Sequence, residues 1–127
     1  MKFVHGTSSS HLDRINEVGL RAPNETGNTT EKRDLRMGEI HVLDDEHIRI
    51  AGAYALRATH HFGGEPVVVT GEVPDAAVKL AIKGKKNFPD IYTVPYVPPD
   101  NIHDITVVDI DFDEIPELFK GHKTKRV

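Results

Sequence analysis

Residues 3–20, FVHGTSSSHLDRINEVGL, decide the reading of this chain. Alternation in Lys2-Phe3-Val4-His5 predicts a short strand, broken at Gly6. Ser8, Ser9 or Ser10 can cap a following helix, whose apolar face is Leu12, Ile15 and Val18 and whose stop is Gly19. A His-Gly-Thr leaving a strand also has chemical potential. The glycine lets a ligand approach the backbone, its N–H and C=O can pair with a planar amide, and the imidazole can bond sugar hydroxyls.

Outward from that stretch, residues 21–38 are polar, carry no sustained period and read as a long loop. Residues 39–43 form a short strand, after which Asp44 or Asp45 caps a helix through Ile48, Ala51, Ala55 and Ala58 that ends at Gly63-Gly64. The β-branched run at 66–73 is the strongest strand signal, bounded by Gly-Gly and Pro74. Residues 75–90 are mixed and carry the basic cluster KGKK; 91–97 and 105–110 read as strands, separated by a Pro98-Pro99 turn. Residues 120–127 read as a frayed tail of one domain spanning 1–127. The expected class is α+β, with more strands than helices.

Composition narrows the function classes. A hydrophobic share of 38% and a charged share of 28% describe an ordinary globular chain rather than a disordered one. The net charge of −4 argues against binding nucleic acid by charge alone and leaves room for a local basic patch. The absence of cysteine rules out a disulfide framework, a thiol nucleophile and a thiolate zinc site. No apolar run reaches bilayer length and MKFVHG is not a signal peptide, so a cytoplasmic protein with no membrane partner is expected. His47, His60, His61 and His103 show no metal-ligand spacing, and no metal is expected. Small residues beside an aromatic at Ala51-Gly52-Ala53-Tyr54 form a flat slot with a stacking face, or else a helix packed tightly on a sheet.

In order, HGTSSSHLDRINEVGLRAP, EIHVLDDEHIRIAGAYA, GGEPVVVTGEVP and DIYTVPYVPPDNI resemble the successive motifs of the ADP-ribosyltransferase superfamily, over residues 3–110. The resemblance implies a split β-sandwich with short flanking helices that uses NAD as a substrate. It implies that His5 contacts a ribose, that Gly6, with Thr7 beside it, pairs with the nicotinamide carboxamide, and that Tyr54 stacks on the nicotinamide. Arg21, just after the Gly-Leu helix end, is a fitting partner for the pyrophosphate, because a bidentate guanidinium suits that group.

Within the superfamily, the second motif position falls on His41 and the third on Ile91, flanked by Asp90 and Tyr92. The His, His, apolar pattern resembles the tRNA 2'-phosphotransferase branch, which uses NAD to remove a 2'-phosphate from RNA through an ADP-ribosylated intermediate. That branch carries an N-terminal winged-helix lobe, whereas these residues open at the HGT strand, so a minimal version without the lobe is expected. The branch places arginines for the phosphate where this chain has Arg36, next to Met37, and Lys86; lysine is a point charge rather than a fork. The catalytic set on this reading is His5, His41, Asp90 and Ile91. A shift of one residue in register would turn Asp90 inward, as in the rifampicin ADP-ribosyltransferases, and would point to a protein or small-molecule acceptor instead of an RNA phosphate. Without a third-motif Glu, a silent module that binds NAD or ADP-ribose is the remaining alternative.

Overall fold

The computed structural model describes residues 1–21 and 39–108. Among them lie β1 (Lys2–Ser8), α1 (Leu12–Val18), β2 (Ile40–Asp44), α2 (Ile48–Phe62), β3 (Pro66–Glu72), β4 (Lys79–Ile82), β5 (Ile91–Val94) and β6 (Ile102–Val107). The class is α+β. The six strands form one antiparallel sheet in the order β4-β5-β2-β1-β3-β6.

Helices cover both faces of the sheet. Phe3 belongs to a core with Ile15 of α1, Leu20, Val42, Val69 and Val94, whereas its neighbour Val4 belongs to a second core with Ile50, Ala51 and Ala53 of α2, Leu43 and Val68. Successive residues of a strand point to opposite faces, so β1 and β3 feed both cores. Burial on both sides explains why Val67, Val68 and Val69 form an unbroken apolar run rather than an alternating one.

Pairing along β1 is lopsided. All seven of its residues pair with β3, but only Phe3↔Asp44 and Val4↔Leu43 pair with β2. The sheet thus divides into two three-stranded halves, β4-β5-β2 and β1-β3-β6, that part beyond Val4.

Three local expectations differ from the structure. β1 continues through Gly6 to Ser8, because Gly6 is where α2 presses on the sheet: a Cβ there would collide with the carbonyl oxygen of Ala51 and sit 2.7 Å from the amide nitrogen of Ala55. Neither Asp44 nor Asp45 caps α2, whose N-cap is His47 without a side-chain bond. Asp44 closes the preceding turn instead, accepting from Glu46 N–H at 3.3 Å through its carboxylate and from His47 N–H at 3.0 Å through its carbonyl. β4 arises inside the mixed segment, β5 stops at Val94, and β6 begins three residues before the expected start, with a 3-10 turn at Pro99–Asn101 where the Pro-Pro turn was read.

The Gly-Leu ending of α1 has a packing cause. Gly19, at φ 79°, returns its N–H to Ile15 C=O at 2.8 Å and leaves no room for a Cβ against the carbonyl of Val97. Leu20 then exchanges two backbone bonds with Val97, at 2.8 and 3.0 Å, and enters the core at 1% exposure.

Candidate functional site

The site is the gap where the two half-sheets separate. Its orientation follows from the ladder between β1 and β3. Val73 N–H donates to Met1 C=O at 3.0 Å, and Ser9 N–H to Glu65 C=O at 2.8 Å, so odd-numbered residues of β1 aim their peptide groups at β3. In an antiparallel pair these directions alternate. Val4 and Gly6 therefore aim theirs at β2, and the N–H and C=O of Gly6 face the gap just past the last β1–β2 pair.

His5 bridges that gap. Its Nδ1 lies 2.8 Å from the carbonyl oxygen of His41. Extending the β1–β2 register would set Gly6 opposite His41, so a side-chain bond stands where the backbone ladder would have run. A carbonyl only accepts, which puts the proton of the neutral imidazole on Nδ1 and leaves Nε2 as a lone-pair acceptor. Nε2 is shut off from solvent and has no partner. Burial drives the pKa of His5 down from 6.5 to about 4; the bond to His41 C=O opposes that shift, while the charges of His41 and His11 add to it. At neutral pH this imidazole is uncharged and held in one tautomer.

Alternation divides the other predicted residues between the two faces. His41, Thr93 and Ile91 share a face with Leu43, because His41 pairs with Thr93 and Ile91 lies two residues from Thr93. Ile91, at 7% exposure, and half-buried Tyr54 both pack into the core on the α2 side. The same face carries Gly6. The side chains of His5 and of fully buried Thr7 leave β1 toward α1, with Phe3. His5 and Tyr54 thus lie on opposite faces of the sheet, not on one wall.

The remaining candidates are placed as follows. The Asp90 carboxylate is taken up within the β4–β5 hairpin: it accepts from Gly84 N–H at 2.6 Å and lies 3.5 Å from Lys83 Nζ. Its pKa falls below the usual carboxylate value, chiefly because of the Gly84 bond. Arg21 lays its guanidinium over the Tyr96 ring, 4.6 Å from the centroid. Lys86 is exposed at the tip of the same hairpin, beside Asn87 at φ 69°. Arg36 lies outside the described residues.

One further histidine with a buried ring nitrogen has no signal in the sequence. His11 follows the serine cluster, and its Nε2 is also buried and unpartnered, with burial lowering its pKa. Only tertiary packing reveals it: its ring meets the edge of Phe62, 51 residues on in the chain, at 4.7 Å between centroids. A separate groove of about 480 Å³ between α1 and β6, bordered by Leu12, Ile15, Ile102 and His103, contains none of the predicted site residues. Among the described residues no three His, Asp or Glu side chains converge as a metal ion would require, and no helix is long and apolar enough to cross a membrane.

No family model and no curated protein matches the chain. Among solved structures it is similar to protein CC0527 from Caulobacter crescentus, with 16% identity and a TM-score of 0.56 over 95% of this chain and 97% of that one. A double mutant of the same Caulobacter protein matches with a TM-score of 0.54 at 16% identity, over the same shares. At this identity the likeness is one of fold, and the chain shares its α+β architecture with CC0527.

Proposed function

We propose that this chain is an NAD-dependent transferase of the ADP-ribosyltransferase fold, releasing nicotinamide and passing ADP-ribose to a phosphorylated acceptor such as an RNA 2'-phosphate. The observation that carries the reading is the parting of the half-sheets beyond Val4, which leaves the Gly6 peptide facing a gap spanned by His5. A peptide N–H and C=O on one strand edge match the C=O and NH₂ of a carboxamide. Beside it, the Nε2 lone pair of His5 can accept from a ribose hydroxyl, and reaching that atom requires the wall over it to open.

The acceptor class follows from the third motif position. Ile91 offers no carboxylate to take a proton from a neutral nucleophile. An acceptor that is already anionic needs no such base. A phosphate oxygen attacks the ribose carbon, the bond from that carbon to the nicotinamide nitrogen breaks, and the bonding pair leaves with nicotinamide, which becomes neutral. His5 and His41 orient the sugar, and the apolar wall keeps water from competing. Arg21, Lys86 and Arg36 are the cations assigned to the pyrophosphate and the acceptor phosphate. The alternative in which Asp90 acts on a protein or small molecule is less favoured, since its carboxylate is already bonded to Gly84 N–H.

The test is incubation with NAD and an RNA bearing a 2'-phosphate, with released nicotinamide measured and His5→Ala as control. Release that depends on both RNA and His5 is expected. Binding of NAD without turnover would leave a binding module, and no affinity for NAD by calorimetry would sink the reading.

A further inference from the structure

β4 closes one edge of the sheet, and all four of its residues are exposed, Leu80 at 52% and Ile82 at 37%. An open edge presents a row of backbone N–H and C=O groups to another extended chain. Leu80 pairs with Tyr92 and Ile82 with Ile91, so the register shift between them turns one apolar side chain to each face. Lysines bound the strand. Lys79 and Lys83, both exposed, reach Glu39 and Asp90 at 3.6 and 3.5 Å, and among the described residues Lys85 and Lys86 pair with no carboxylate. Exposed ion pairs of this kind are worth little, so the edge stays cationic in a chain of net charge −4. The same lysines oppose the pairing of two β4 strands, because an antiparallel match sets lysine beside lysine.

A stretch of complementary chemistry stands in the sequence. Residues 109–115, DIDFDEI, lie outside the described residues, and acid alternates with apolar from Asp109 to Asp113. They cannot serve their own β4. They follow β6, the opposite edge, where Val108 is tied to Pro66 C=O by a 2.9 Å bond. Five strand spacings separate the two edges, about 24 Å, and an extended run of seven residues would be used up in crossing them.

We propose that residues 109–115 of a second copy add as a strand along β4, with the acids beside its lysines and Ile110 and Phe112 against Leu80 or Ile82. Two copies that each lend this stretch close into a dimer with two equal contacts. The proposal is independent of the NAD reading.

Sedimentation equilibrium of the full chain tests it, with salt and charge reversal as the variables. A dimer that weakens as salt rises is expected. Lys79→Glu with Lys85→Glu should weaken it about tenfold or more, Asp111→Lys with Asp113→Lys should do the same, and the four changes together should recover most of the loss. Should a variant fail to fold, amide exchange of the wild type decides: the amides of residues 79–82 should slow as concentration rises through the dimerisation range. A chain that stays monomeric, or a dimer indifferent to both reversals, overturns the proposal. So does a monomer whose β4 amides slow only on adding an acidic peptide of foreign sequence, which would give the edge to another protein.

Discussion

Gly6 and Ala51 meet backbone to backbone: the space a Cβ would fill on Gly6 is held by the carbonyl oxygen of Ala51. The contact lets α2 lie directly on β1 and places Tyr54 within its core. It also revises the reason for the glycine. Its missing side chain makes room for a helix, while its peptide groups face the gap.

Gly6→Ala is therefore expected to destabilise the fold by roughly 1–3 kcal/mol or more, since neither backbone can retreat as a flexible side chain would. Chemical denaturation against the wild type checks this. A variant of wild-type stability would show that α2 shifts freely, and the close approach would lose its meaning.

Stability should also depend on His5 through pH. Its folded pKa is depressed, from 6.5 to about 4, so below 6.5 the unfolded chain binds the proton that the folded one refuses. The contribution is fully present above pH 6.5 and is lost as pH falls toward 4, by roughly 3 kcal/mol in all. His11 acts in the same sense. Asp75 and Asp90 have depressed values and begin to matter only near and below 3.8, so they do not blur the window. Urea titrations between pH 7.5 and 4.5 should show the slope in the wild type and a shallower one in His5→Gln.

Asp90→Asn separates the two acceptor readings. With the carboxylate bonded inside the hairpin, the change should loosen Gly84, seen as faster amide exchange, and leave nicotinamide release within about twofold. A drop of a hundredfold or more would instead make Asp90 the catalytic carboxylate.

Leu20→Ala should cost roughly 2–5 kcal/mol, the range for a large core side chain cut to a methyl. Leu20 is 1% exposed and belongs to the α1-side core. Thermal unfolding measures it, and a loss under 1 kcal/mol would contradict the packing described.

Much of this could be read from local pattern. Val67 to Val69, bounded by Gly-Gly and Pro74, announce β3, and Leu12, Ile15 and Gly19 announce α1 and its end, because burial period and glycine stops act over a few residues. Less legible was β4, whose four residues are all exposed and so carry no burial signal. The capping of α2 was misread for a related reason: Asp44 and Asp45 both have capping chemistry, but the chain turns between them and leaves the position to His47.

The sequence by itself determined the α+β class and the order of every strand and helix but β4, because these depend on spacing and on neighbours near in the chain. Tertiary structure decided where β1 leaves β2, which tautomer His5 holds, and that His11 sets its ring on Phe62. Those outcomes depend on groups dozens of residues apart being brought within bonding distance and out of water, and no local pattern encodes that.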